Sequence, residues 1–159
     1  MKNAKRLIAV IGDSECSAEA AELAYAAGKG IAQKGHVLLC GGYSGIMEAA
    51  ARGVKDAGGL TVGILSGKTK QDMNTYIDIP IITGLGEARN AVIARSADGV
   101  LAIGGGYGTL SEIAFCLKFE VPLVGLRTWS LSHPETRKMG AFPTANTPQE
   151  ALQTLLSKI

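Results

Sequence analysis

The stretch GVLAIGGGYGTLSE, residues 99–112, decides the fold. An apolar run over 99–103 is followed by four glycines within residues 104–108, and a helical pattern then covers Leu110 to Phe119. An apolar run, a glycine turn and a helix in this order are typical of strand-to-helix connections in α/β proteins. In such proteins ligands bind beyond the carboxyl ends of the strands, so the glycine turn is the first place to look for a site.

The same alternation continues in both directions along the chain. Ser17, Ser44 and Thr147 are the expected N-caps of three helices, since their hydroxyls can accept from free backbone amides. Pro148 and Glu150 strengthen the last of these. The expected fold class is α/β: residues 1–159 as a single doubly wound, Rossmann-like domain with a mostly parallel sheet of six or seven strands and helices on both faces. The expected strands are 7–11, 37–40, 61–65, 76–82, 99–103, 122–126 and a short one near 141–142; the expected helices are 17–34, 45–57, 87–97, 110–119 and one from 148 onward.

Composition narrows the function classes. The chain has 159 residues, 21 of them glycine, with no collagen period, and 47% hydrophobic residues indicate a globular protein. A net charge of +2 without a basic run argues against a nucleic-acid partner. No run of 18 apolar residues is present, so no membrane span is expected, and the apolar run after Lys5 and Arg6 is too short for a signal peptide. Cys16, Cys40 and Cys116 are interpreted as reduced, buried thiols of a cytoplasmic protein.

The glycine turn predicts a phosphate site. Glycines let the main chain approach a ligand, and the amides at a helix N-terminus then point at an anion. The alternative is a tight turn whose glycines serve packing only. The turns at 12–14 and 41–45 are expected to reach the same sheet edge. The candidate phosphate- or nucleotide-binding residues are Gly12, Ser14, Gly42, Gly45, Gly105, Gly106, Tyr107, Gly108 and Thr109.

Better-known sites are not supported. The turn after the first strand has one glycine, which disfavours the usual mode of NAD binding, and residues 63–69 imitate a P-loop with the wrong spacing. His36 and His133 form no metal or triad pattern. We therefore expect neither a metal nor a resident cofactor.

Glu112 and Arg89 are the candidate catalytic residues, each with a second interpretation. Glu112 could complete a capping box with Thr109, or place a carboxylate one helical turn from a bound phosphate. Arg89 could be a solvated surface residue, or it could reach the phosphate as a fork donor.

Residues 105–112, GGYGTLSE, resemble the PGGxGTxxE motif of the Lonely Guy family, and residues 41–65 resemble its second turn and helix. The resemblance covers most of residues 5–126 and is closest to a short branch that includes molybdenum cofactor carrier proteins. It implies a Rossmann-like homodimer that binds nucleoside 5′-monophosphates. Characterised enzymes of the family cleave the N-glycosidic bond to free base and ribose 5-phosphate, and their essential arginine and glutamate match Arg89 and Glu112.

Two departures from the family pattern matter. Gly104 replaces the proline before the glycines, and residues 86–90 lack the methionine and lysine that surround the family's arginine, so cytokinin-type substrates do not follow. Two functions remain: a phosphoribohydrolase of nucleoside 5′-monophosphates, or a non-catalytic carrier of a nucleotide or phosphorylated pterin (molybdenum) cofactor. A lysine decarboxylase is set aside, since no lysine has the context of a pyridoxal site.

Overall fold

The computed structural model describes residues 4–136 and 141–159. Six strands form one parallel sheet: β1 (Leu7–Ile11), β2 (Val37–Cys40), β3 (Thr61–Leu65), β4 (Ile79–Ile82), β5 (Gly99–Ile103) and β6 (Leu123–Leu126). Their order in the sheet is β4-β3-β2-β1-β5-β6, which confirms the predicted α/β class. From β1 the chain moves outward to β4 and then returns to the other side of β1.

Helices cover both faces of the sheet. The helices in the described residues are α1 (Ala18–Gln33), α2 (Ile46–Asp56), α3 (Arg89–Ser96), α4 (Tyr107–Phe119) and α5 (Pro148–Leu156), with a short 3-10 helix over Gly86–Ala88 before α3. Residues alternate across each strand, so Ile8 and Val10 pack under α1, α2 and α5, whereas Ala9 and Ile11 pack under α3 and α4. Both cores are apolar, which explains why the central strands are continuous hydrophobic runs in the sequence.

Several predicted boundaries are wrong. β4 lacks the predicted residues 76–78 and lies at the sheet edge, where Pro80 is tolerated. Residues 141–142 form no strand; among the described residues of that region, one isolated bridge pairs Gly125 with Thr144. Ser17 and Thr147 cap α1 and α5 as predicted.

Ser44 does not cap α2. Gly45 is the N-cap, and the Ser44 hydroxyl instead donates to the carbonyl oxygen of Ser14 at 2.9 Å. Cys16 is exposed, contrary to the prediction, because it lies in the loop between β1 and α1; Cys40 and Cys116 are buried as predicted, and all three thiols are free.

Candidate functional site

The carboxyl ends of β1 and β5 lie side by side at the point where the chain reverses direction across the sheet. This is the topological switch point, where ligands bind in open α/β sheets. A cleft of about 230 Å³ opens there. It is lined by Gly12, Asp13, Ser14, Tyr43, Met47, Ser66, Glu87, Arg89, Asn90, Gly108, Thr109 and Glu112.

Six of the sequence-predicted residues meet in this cleft: Gly12, Ser14, Arg89, Gly108, Thr109 and Glu112. Gly105 instead lines a second cleft, described below. Gly42 and Gly45 line neither; their φ angles of 82° and 65° and their close neighbours show that they shape the adjoining turns. Tyr107 is 83% exposed, on the outer side of the first turn of α4.

Arg89 is buried, not solvated. It is the first residue of α3 and is only 9% exposed. Its Nη1 donates to the carbonyl oxygens of Gly41, at 2.9 Å, and of Ile64, and its Nε donates to Oδ1 of Asn90 at 3.2 Å. No residue that the structure describes accepts from Nη2. Of the two terminal nitrogens of the guanidinium, Nη1 is therefore bonded at the ends of β2 and β3, whereas Nη2 has no acceptor among the described residues.

Glu112 faces the cleft from the second turn of α4. It is 7% exposed, and no described side chain or amide hydrogen-bonds to its carboxyl group. Burial raises the pKa of Glu112 to about 8; the Arg89 guanidinium opposes the rise, and the charges of Glu87 and Asp13 add to it. At neutral pH this carboxyl group is therefore largely protonated and can donate a proton.

The capping-box interpretation of Thr109 and Glu112 is wrong. The helix begins at Tyr107 with Gly106 as N-cap, three residues earlier than predicted, so Thr109 already lies inside the first turn. The Oγ1 of Thr109 is the one buried side-chain polar atom, among the described residues, that has no hydrogen-bond partner. Such atoms are costly, and one in the first turn of a helix that borders a cleft requires an explanation such as an ordered water, an ion or a ligand.

The glycine turn is held from outside by the segment that follows β6. Thr128 Oγ1 donates to the carbonyl oxygen of Gly104 at 2.5 Å, and Trp129 Nε1 donates to that of Gly106 at 3.1 Å. The indole also stacks on the ring of Tyr107, with the ring centroids 6.0 Å apart. With these carbonyls bound on the outside, the amides at the start of α4 remain available to an anion.

Tyr43 forms another wall of the cleft. Its phenol oxygen accepts hydrogen bonds from the backbone amides of Ser66 and Gly67, both at 3.1 Å, and the Arg89 guanidinium lies 5.7 Å from its ring centroid. Burial acts to raise the pKa of Tyr43, but a hydrogen bond with the Ser66 hydroxyl, the two amide hydrogen bonds and the charge of Arg89 outweigh it and hold the pKa below its usual value. Sequence reasoning did not select Tyr43, since nothing in its local pattern shows that it reaches the end of β3.

Asp13 lies between two clefts. The second one, about 290 Å³, is lined by Gly104, Gly105 and Arg127 together with the loop after β1. Asp13 lines both clefts, and its two carboxylate oxygens lie 3.2 Å from where a Cβ on Gly106 would stand. Sequence reasoning selected its neighbours Gly12 and Ser14 but passed over Asp13 itself.

The arrangement combines a helix N-terminus that no described side chain caps with a carboxyl group whose pKa is raised by burial. Within residues 4–136 and 141–159, no group of three His, Cys, Asp or Glu side chains could hold a metal ion. Nor does any helix described there have the length and apolar character to span a membrane. The groups that the cleft presents are the N-terminal turn of α4, the Arg89 guanidinium and the Glu112 carboxyl group.

The chain is similar in sequence to a known protein family and to individual proteins. Residues 5–152 match the profile of the SLOG cluster4 family. An uncharacterised protein from Archaeoglobus fulgidus is 45% identical over 150 residues, which is 94% of each chain. A cytokinin riboside 5′-monophosphate phosphoribohydrolase from Arabidopsis thaliana is 33% identical over 107 residues, 64% of this chain and 45% of the plant enzyme.

Two solved structures are similar over nearly the whole chain. The molybdenum cofactor binding protein from Rippkaea orientalis is 35% identical, with a TM-score of 0.88 and 99% of each chain covered. The molybdenum cofactor carrier protein from Chlamydomonas reinhardtii is 36% identical, with a TM-score of 0.80, covering 97% of this chain and 99% of that protein. Both share the sheet and helices described above.

Proposed function

The chain belongs to the SLOG cluster4 family, and from that premise we propose that it binds a nucleoside 5′-monophosphate in the Arg89–Glu112 cleft and hydrolyses its N-glycosidic bond. The observation that carries the proposal is Glu112. A carboxyl group that is nearly buried, lacks a partner among the described residues and faces a cleft beside an arginine is costly to maintain and is typical of a working acid–base group.

The phosphate would bind at the N-terminus of α4. The amides of the first turn supply donors there, and the helix dipole favours a negative charge. Thr109 supports this placement, since its buried hydroxyl lacks a partner in the described protein. The free Nη2 of Arg89 supplies a further donor at the other side of the cleft. Fixing the phosphate would hold the sugar in one orientation against Glu112.

Glu112 would act first as an acid and then as a base. Its proton passes to the leaving nitrogen of the base while the bond from C1′ to that nitrogen breaks, and the bonding electron pair goes to the nitrogen. The resulting carboxylate stabilises the positive charge on the ribose. A water molecule then attacks C1′ and returns a proton to Glu112, giving free base and ribose 5-phosphate. The raised pKa makes the acid form available at neutral pH.

Incubation of the purified protein with AMP, GMP, CMP and UMP, followed by chromatography for free base, tests this proposal. Glu112→Gln should lower the rate by about 100-fold or more, because it removes the proton that the leaving group needs. Glu22→Gln on the exposed face of α1 is the matched control and should keep the wild-type rate. Release of base at equal rates by wild type and Glu112→Gln would contradict the assignment.

A second function is favoured by the solved structures. Two proteins that cover 97–99% of this chain at 35–36% identity are described as binding or carrying the molybdenum cofactor. We propose as the alternative that the same cleft carries a nucleotide or a phosphorylated pterin cofactor without turnover. Calorimetry with AMP and with the cofactor tests it: tight binding of the cofactor, with no base released from any monophosphate, would favour the carrier over the hydrolase.

We also propose that the protein is a cytoplasmic homodimer. The outer edge of β4 exposes Ile79, Ile81 and Ile82, and Leu85 follows them, so an apolar strip lies on the sheet edge. A second copy of the chain would cover it. Light scattering should give twice the chain mass for wild type and a smaller mass for Ile81→Lys; a monomeric wild type would contradict the dimer.

The free thiols favour a reducing compartment, which is the reason for proposing a cytoplasmic location.

A further inference from the structure

Asp13 stands where an anionic ligand would be expected. It follows β1 at the switch point, and both of its carboxylate oxygens lie 3.2 Å from the position of a Cβ on Gly106, the N-cap of α4. The glycine at 106 leaves room for this carboxylate, because a Cβ there would lie in tighter than usual contact with both oxygens. The helix terminus that is proposed to hold a phosphate therefore already has a carboxylate at its side.

This carboxylate has no partner among the residues that the structure describes. Neither nearby arginine pairs with Asp13: Arg127 pairs with Glu19, and the hydrogen bonds that Arg89 makes within the described protein go to Asn90 and to strand-end carbonyls. Both Asp13 oxygens are thus free acceptors that face the clefts. Because a carboxylate repels a phosphate, a ligand gains from Asp13 only if it carries hydrogen-bond donors next to its phosphate.

We propose that Asp13 is a specificity-determining residue that accepts hydrogen bonds from the ribose hydroxyls of the bound nucleotide, so that the cleft selects ribonucleotides over deoxyribonucleotides. The proposal rests on the proposed binding of nucleoside 5′-monophosphates. The 2′- and 3′-hydroxyls are donors that every ribonucleotide carries close to its 5′-phosphate, and an acidic side chain accepting from ribose is a recurrent device of nucleotide-binding α/β folds.

Glu112 does not duplicate this role. In its protonated form Glu112 offers a donor as well as an acceptor, whereas the Asp13 carboxylate offers acceptors alone, so the two carboxyl groups present different hydrogen-bonding character to one ligand. Glu87, the third acidic residue of the cleft, is exposed and lies two residues before Arg89 in the chain. A ligand bound between Asp13 and Glu112 would form hydrogen bonds with both carboxyl groups.

Calorimetry with AMP, 2′-deoxy-AMP, 3′-deoxy-AMP and inorganic phosphate tests the proposal. Wild type should bind AMP at least about tenfold more tightly than one of the deoxy forms. Asp13→Ala should reduce that ratio to about twofold or less, while inorganic phosphate binds as well as before or better. Asp13→Asn keeps one acceptor oxygen, so its affinity ratio should lie between those of wild type and Asp13→Ala. This variant replaces Asp13→Ala in the test if the alanine variant does not fold. Glu15→Gln, in the same loop but exposed and outside the Arg89–Glu112 cleft, should behave as wild type.

Three outcomes would overturn the proposal, and they differ from one another. An equal affinity of wild type for AMP and both deoxy forms would show that Asp13 does not read the ribose. An unchanged ratio in Asp13→Ala, with tighter binding of all four ligands, would show that Asp13 merely occupies the helix terminus. Absence of binding of AMP and of inorganic phosphate to wild type would overturn the proposed function, and the inference with it.

Discussion

The indole Nε1 of Trp129 donates a hydrogen bond to the carbonyl oxygen of Gly106, 3.1 Å away. Gly106 is the N-cap of α4, so this bond ties the segment after β6 to the start of the helix that the site depends on. Thr128 binds the carbonyl of Gly104 in the same way. The conformation of the glycine turn is thus set by residues more than twenty positions further along the chain.

Trp129 should report ligand binding directly. It is the only tryptophan in the chain, and its ring contacts both the glycine turn and Tyr107. A phosphate bound to the amides of the turn would change the field and the packing around the indole. We therefore expect titration with AMP to change the intensity or wavelength of tryptophan emission, with a midpoint equal to the dissociation constant from calorimetry.

Trp129→Phe is the companion variant. Phenylalanine keeps a ring for the stack with Tyr107 but loses the Nε1 donor, so the unfolding free energy should fall by about 0.5–1.5 kcal/mol. Binding of AMP by this variant should weaken as well, since the turn is less well held. A wild-type emission that stays constant while calorimetry detects binding would place the ligand away from this turn.

Thr109→Val should raise the stability of the ligand-free protein and lower its affinity for AMP or phosphate. Valine fills nearly the same volume without a buried hydroxyl that lacks a partner, so we expect a gain of about 1–2 kcal/mol in thermal or denaturant unfolding. Affinity for AMP or phosphate should fall by about tenfold, the value of a hydrogen bond to a charged group. Thr109→Ser keeps the hydroxyl and should keep most of the affinity. A less stable valine variant with unchanged affinity would refute this role.

The strands and the site's location follow from sequence because their signals are local. The apolar runs over β1, β2, β3 and β5 end as predicted, since each strand is buried on both faces and stops at a glycine or a polar residue. The carboxyl ends of parallel strands meet at one edge, so the glycine turns after β1 and β5 had to come together.

The remaining features depend on contacts that are distant in the chain. The start of α4 was misplaced because threonine is a good N-cap, yet Gly106 is the N-cap and its carbonyl binds Trp129. Ser44 was expected to cap α2 but bonds to Ser14 across two loops. Asp13 was passed over because an aspartate after a strand is common in turns, and only the fold shows that it faces Gly106.

Glu112 should make stability depend on pH. The folded state raises the pKa of this carboxyl group from 4.5 to about 8, so between these values the folded protein binds a proton that the unfolded chain has released. The contribution of this group to the free energy of unfolding is therefore fully present below about pH 4.5 and is lost as the pH rises through 8. We expect Glu112→Gln to remove this loss and to exceed wild type by roughly 2–5 kcal/mol at pH 9, in urea unfolding series from pH 5 to 9.

The exposed Glu22→Gln is the control for that series and should follow the wild-type curve. Equal slopes for wild type and Glu112→Gln across this range would show that Glu112 ionises at an ordinary pH. Bound phosphate adds a negative charge near the Glu112 carboxyl group. It should therefore raise the pH at which this group ionises in wild type, as the charges of Glu87 and Asp13 already do.

Gly28→Ala and Gly30→Ala should separate close packing from helix propensity. Both glycines lie inside α1, so alanine gains about 1 kcal/mol of propensity at either position. A Cβ on Gly28 would lie 2.0 Å from the carbonyl oxygen of Ala50 in α2, a rigid backbone atom, whereas on Gly30 it would meet a flexible Leu152 methyl at 3.1 Å. Gly28→Ala should therefore lose about 1–3 kcal/mol in urea unfolding, and Gly30→Ala should stay within about 1 kcal/mol of wild type. Equal stabilities of the two variants would mean that α1 and α2 pack less closely than these distances require.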